Sequence, residues 1–190
     1  MSAPETSYTP EEIERAAQVI TGSFEELGRW PTPIFLAFCN TAFGDTVELI
    51  VTKPGTDEIL LTQREADDPY FANHWHIPGV MLALGDREEE SRYPDAIDNA
   101  ALRARDELEG TRITPMVRLS PQWLHQLPRI SKRGGEISTF YGAYLIDEEP
   151  KVGQMFNVHA LPEPMLYNHR DIAVRAPEAI HLAHASLPII

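Results

Sequence analysis

Residues 58–86, "EILLTQREADDPYFANHWHIPGVMLALGD", decide the fold. The stretch opens on a β-rich run that closes at Arg64, passes through a polar, aromatic loop, and re-emerges as a short extended segment from Trp75 to Pro78. Upstream, "TVELIVT" supplies a second β-rich run, and Lys53-Pro54-Gly55-Thr56 lies between the two. Proline and glycine supply the backbone dihedrals that a chain reversal needs, so the pair predicts a hairpin.

Farther upstream, "TPEEIERAAQVITGSFEELGRW" has Thr9 to cap a helix, Pro10 for its first position and Glu12 to complete a capping box. Ile13, Ala16, Ala17, Ile20, Phe24 and Leu27 then repeat at helical spacing, which predicts an amphipathic helix ending near Gly28. Gly22 weakens it locally. Downstream, "DREEESRYPD" is charged, without an apolar period, and should be exposed. A helix is expected from Asp95 to Glu109, closed by Gly110 in the left-handed conformation. Strands follow at "RITPMVRL" and "ISTFYGAYLI", separated by the loop "PRISKRGGE". The segment "VHALPEPMLYNHRDIAVRAPEAIHLAHAS" reads as helical in two pieces broken by Pro177. The order helix, strands, helix, strands, helix favours a mixed sheet with helices on both sides.

With 190 residues, 43% of them hydrophobic, the chain can bury one domain's core, with little room for a second. A formal charge of −13 repels nucleic-acid backbones and anionic membranes at long range, so neither is expected as the main partner. A phosphorylated small molecule stays open, because a bound cation reverses the sign locally. The only cysteine, Cys39, lies in the apolar run "PIFLAFC", which rules out an intramolecular disulfide and a cysteine-based zinc site and predicts a buried small hydrophobe. The amino-terminal "MSAPETSYTPEEIE" has neither a basic nor an apolar signal region, and no run approaches a membrane span. The expectation is a soluble, cytoplasmic protein.

The strand ending in Arg64, the Trp75, Pro78, Gly79 sequence and the later "NAALRARDELEG" together resemble the Nudix hydrolase family. Its signature is G-x5-E-x7-R-E-U-x-E-E-x-G-U, with U bulky and aliphatic. The resemblance implies an α/β (α+β) fold, a Nudix-like α/β/α sandwich with a mixed β-sheet. An N-terminal helical extension (1–30) would precede the Nudix-like domain (31–190). The lead-in covers roughly residues 46–86; the signature departs from the pattern. Val80 stands for the first glycine, Asp86 for the first glutamate, and 16 residues separate Asp86 from Arg103 where the family has seven. Arg103, Glu107 and Gly110 match, whereas Ala104 and Leu108 replace two glutamates, and Arg105 and Thr111 occupy the aliphatic positions.

Cleavage of a pyrophosphate link needs divalent cations to neutralise phosphate oxygens and activate water, and Mg²⁺ or Mn²⁺ prefers carboxylate oxygens. At about 100° per residue, Ile97, Ala100, Ala101, Ala104 and Leu108 form one stripe with Glu107 at its edge, beside Arg103. The centre of the expected metal patch is therefore apolar. Reading Arg105, Asp106 and Glu109 as the motif instead points those acids roughly opposite the stripe and misplaces Gly110, so this register is rejected.

If the family's chemistry is retained, the resemblance implies a hydrolase of nucleoside diphosphate-linked compounds. Glu107 and Asp86 would bind Mg²⁺ or Mn²⁺, Glu107 and Glu136 would serve catalysis, and Arg103 would orient a carboxylate or phosphate. Loop acids Glu88, Glu89 and Glu90 are further candidates, and each loop acid also reads as a solvated surface charge. The alternative is a catalytically silent Nudix-fold protein that binds a nucleotide-like ligand or a protein partner. Tyr70 and Phe71 could stack on a base or sugar. Lys132 and Arg133, in "SKRGGE", could accept a phosphate, although paired glycines also simply mark a turn. His74 and His76 flank Trp75, which is expected to pack in the core. His181 and His184 have a metal-compatible spacing but no evident third ligand. The expected partner is a small nucleotide-like molecule, with no nucleic acid and no membrane; the resemblance also allows a homodimer.

Overall fold

The computed structural model of the chain describes residues 9–27, 34, 43–68, 70–82, 86, 93–120, 123–124, 129–131 and 134–186. It divides into two compact units, Met1–Ala42 and Phe43–Ile190. In the first, α1 (Pro10–Leu27) begins with the expected capping box. The Thr9 N–H donates to Glu12 Oε2 at 2.8 Å and the Glu12 N–H to Thr9 Oγ1 at 3.2 Å, satisfying two N–H groups that a helix start leaves open. Gly28 and Cys39 lie outside the described residues.

The second unit is built on β1 (Phe43–Thr52), β2 (Glu58–Gln63), β3 (Trp75–His76), β4 (Gly79–Met81), β5 (Val117–Arg118), β6 (Arg129–Ser131), β7 (Gly134–Tyr144) and β8 (Gln154–Asn157). The sheet path runs β3-β2-β1-β7-β5, with β4 on β1, β6 on β7 and β8 on β2. The sheet is mixed: β1 runs parallel to β7 and antiparallel to β2 and β4. The turn between β1 and β2 is the expected one, with Gly55 at φ 71°.

Two helices cover the sheet, α2 (Tyr93–Asp106) and α3 (Tyr167–Ala185). Side chains alternate along each strand, so β1 sends Val47, Leu49 and Val51 towards one core and Ile50 towards the other. The α2 stripe Ile97, Ala100, Ala101 and Ala104, with Leu108 in the turn after it, meets the first set, and Ile172, Ala176 and Ile180 of α3 meet the second. This is the expected α/β/α sandwich with a mixed sheet. No helix among the described residues is long and apolar enough to cross a membrane.

Several expectations need correction. Residues 158–166, expected to be helical, precede the helix, and the strand expected over 112–119 is confined to Val117–Arg118. Arg129–Ser131 pairs antiparallel with Gly134–Glu136, so much of the expected loop is a hairpin. Strand β8 lies where no strand was expected, its Phe156 opposite Ile59 and Met155 opposite Leu60. Helix α3 continues through Pro177 instead of breaking there. Pro177 forfeits one backbone bond, but Ala173, Ala176, Ala179, Ile180 and Ala183 are all buried on both sides of it, and burial of that stripe holds the two turns in line.

Candidate functional site

Arg103, in the last turn of α2, sits at the centre of a compact clasp. Its Nε donates to Asp86 Oδ1 at 3.1 Å and its Nη2 to Asp86 Oδ2 at 2.9 Å; Nη2 also donates to the Met81 carbonyl at 2.6 Å. One helical turn earlier, Asn99 Nδ2 donates to the backbone carbonyl of Asp86 at 2.9 Å. Residues four apart on a helix face the same way, so this pair grips one residue by both side chain and backbone. The Asp86 side chain is only 6% exposed against 39% for Arg103, which makes Asp86 the partner that depends on the contact. Asn99 was missed in the sequence. Its position i−4 from Arg103 was the available signal, but a partner across the insertion was not readable.

Beyond Asp106 the helix tightens. Leu108, Glu109 and Thr111 donate to carbonyls three residues back, and Gly110 closes the turn at φ 78°, as expected. Glu107 lies in this turn, exposed to solvent. Its surroundings still push its carboxyl above the usual range through desolvation, with Arg103 pulling the other way. Ala104 and Leu108 are each 1% exposed, packed on the sheet. Mg²⁺ and Mn²⁺ need hard oxygen donors. Both Asp86 oxygens accept from Arg103, the signature positions Ala104 and Leu108 are hydrocarbon, and of the described signature acids Glu107 is the exposed one. Among the described residues no group of three His, Cys, Asp or Glu side chains could hold a metal ion. This donor set does not fit a cation held by protein ligands alone.

The other candidates are scattered. Phe71 is buried, edge-on to His74 with ring centroids 5.8 Å apart, while Tyr70 is half-buried beside it. Asp68 organises this loop, accepting from the N–H groups of Tyr70 at 3.0 Å and Phe71 at 2.7 Å and from Arg64 Nη1 at 2.9 Å. Glu136 is in β7, paired with Gly44 and Arg129. Lys132, Arg133, Glu88, Glu89 and Glu90 lie outside the described residues. Trp75 packs against the α3-side core as expected, edge-on to Phe156 at 4.8 Å. His184 stacks on Tyr144 at 4.7 Å, and His181 is exposed.

A polar set inside the α3 side of the sheet carried a weaker signal in the sequence. Thr46 Oγ1 donates to Ser138 Oγ at 2.8 Å, and the next inward position of β1 is Glu48, only 8% exposed. The Glu48 carboxylate stands over Gly79: a Cβ there would lie 2.1 Å from Oε2 and 2.7 Å from Cδ. It would also lie 2.9 Å from the Val47 backbone carbonyl oxygen, so a larger residue at 79 would require β1 or β4 to shift. His169, 5% exposed, accepts the Ile77 N–H on Nδ1 at 2.9 Å, which places its ring proton on Nε2. His76 has the opposite tautomer, since its Nδ1 lies 2.7 Å from the Ile77 carbonyl and its Nε2 3.2 Å from Thr62 Oγ1. An acid inside the otherwise buried run "TVELIVT" was the one sign of this set in the sequence.

No family model and no curated protein sequence matches the chain. Solved structures do. A NUDIX hydrolase from Alicyclobacillus acidocaldarius superposes with a TM-score of 0.51 at 15% identity, covering 79% of this chain and 99% of that one. NrtR from Shewanella oneidensis superposes with a TM-score of 0.51 at 18% identity, covering 71% of this chain and 62% of that one. The same protein complexed with a 27mer DNA gives 0.50 at 17% identity, over 70% and 60%. The chain therefore spans about six-tenths of the NrtR chain, and the shared feature is the Nudix fold.

Proposed function

We propose that the chain is a Nudix-fold protein with a degenerate signature that binds a nucleotide-like small molecule without hydrolysing it. The carrying observation is the double contact of Arg103 with Asp86 beside the buried Ala104 and Leu108. Pyrophosphate cleavage by this fold's resembled chemistry needs carboxylates free to meet a cation at those positions. Here one acid is tied to an arginine and two positions belong to the core. Arg103 then acts as a positioning residue that fixes the chain where the helix meets β4.

The ligand class follows from the resemblance, with Tyr70 and the Lys132–Arg133 loop as the proposed contacts to base and phosphate. DNA is named for NrtR in one of its structures, but a net charge of −13 gives this chain the wrong sign for a phosphate backbone. Isothermal titration with ADP-ribose, a nucleotide sugar and a nucleoside triphosphate, each in EDTA and then in Mg²⁺, tests the reading. At least one ligand should bind saturably with the same affinity in both buffers. Binding that needs the cation, or no binding by any of them, contradicts it.

A further inference from the structure

The apolar stripe of α2 has two flanks. One carries Asn99, Arg103 and Glu107; at about 100° per residue the other carries Asp98, Leu102 and Arg105. This second flank faces the segment Ile113–Met116, and a cavity of about 550 Å³ lies between them with Tyr141 among its lining residues. The volume falls within the range of roughly 300–1,000 Å³ typical of small-molecule sites.

Its chemistry is one-sided. Leu102, 41% exposed, Ile113 and Met116 give it apolar walls. Arg105 directs both Nε and Nη2 to Asp106 Oδ1, at 3.1 and 2.9 Å, so its charge is met by its neighbour. Asp98 has a different partner, the Tyr141 hydroxyl, which donates to Oδ1. Burial, the hydrogen bond to Asp98 and the Asp98 charge push the Tyr141 phenol up against the opposing charge of Arg118, so it stays a neutral donor and brings no charge of its own to the carboxylate. An apolar wall with one such carboxylate matches a cation on a short hydrocarbon chain.

We propose that this groove is a binding site for small aliphatic amines, with the ammonium on Asp98 and the alkyl chain against Leu102, Ile113 and Met116. The site shares no side chain with the Arg103 clasp and stands or falls independently of the function proposed above. Methyl-labelled methionine would report on it, with the Met116 signal assigned through Met116→Leu. Hexylammonium should shift that signal saturably and hexanoate should not. Asp98→Asn keeps an acceptor for Tyr141 at an exposed position, and should weaken hexylammonium by on the order of tenfold. An equal response to hexanoate, no saturable shift with hexylammonium, or an unchanged affinity in folded Asp98→Asn overturns the proposal.

Discussion

Arg103 and Asp86 are held by charge-assisted hydrogen bonds in a bidentate pair, a geometry that lysine cannot reproduce. Removing the arginine takes two hydrogen bonds and a charge partner from a carboxylate that is 6% exposed. A fully buried pair broken this way loses about 3–5 kcal/mol, but the 39% exposure of Arg103 lets water reach the site, so we expect about 1–3 kcal/mol for Arg103→Ala. Urea unfolding measures this, and Arg103→Lys should recover less than half of it. Asp68 gives a pH-dependent counterpart. Burial raises its carboxyl, but the N–H groups of Tyr70 and Phe71 and the Arg64 guanidinium outweigh burial and hold it below the usual value. A depressed folded value contributes stability above the unfolded value of about 3.9 and loses it as the pH falls through the folded one. Wild type should therefore exceed Asp68→Asn in stability by a constant margin from neutral pH down to about 5, and the margin should shrink towards pH 3. A margin that does not change over that range would refute this account of the loop.

Helix α2 shows how far local pattern carries at the scale of the element. Its apolar period alone marks the buried face; the helix runs from Tyr93 to Asp106 instead of the expected Asp95 to Glu109, and Gly110 closes the turn that follows it. Restoring the signature glutamate at Leu108 should expose the consequence: the position is 1% exposed, so Leu108→Glu places an acid in a packed core and should cost at least about 3 kcal/mol. Thermal unfolding would test this, and a stable variant that gained Mg²⁺ affinity would mean that the helix can roll to present the acid. The β1–β2 hairpin and the capping box of α1 were legible for the same reason as α2, because their signals lie within a few residues. Strand β8 and hairpin β6–β7 were not, since "QMFN" and "RIS" are too short for a period and become strands only by pairing with β2 and β7. Pro177 misled because the rule that proline breaks a helix is local, while the burial that keeps α3 continuous is tertiary. The clasp itself was half legible: both members were named, but as a metal ligand and a ligand-orienting group, because contact across the insertion is set by the fold.

At the largest scale, the sheet and its two helices place β4, the clasp and the turn after α2 together. Chemistry depends on a smaller set of charges. The architecture holds Arg103 against Asp86 and turns Ala104 and Leu108 inward, so among the described signature positions Glu107 is the acid left exposed. The proposed function, binding without hydrolysis on a Nudix fold, rests on that arrangement. Phosphorus NMR of ADP-ribose incubated with a stoichiometric amount of the protein, in Mg²⁺ and again in Mn²⁺, tests it most directly. The pyrophosphate should not be converted, whatever shift or broadening binding brings; phosphomonoester signals that accumulate with wild type and disappear with Glu107→Gln would contradict it.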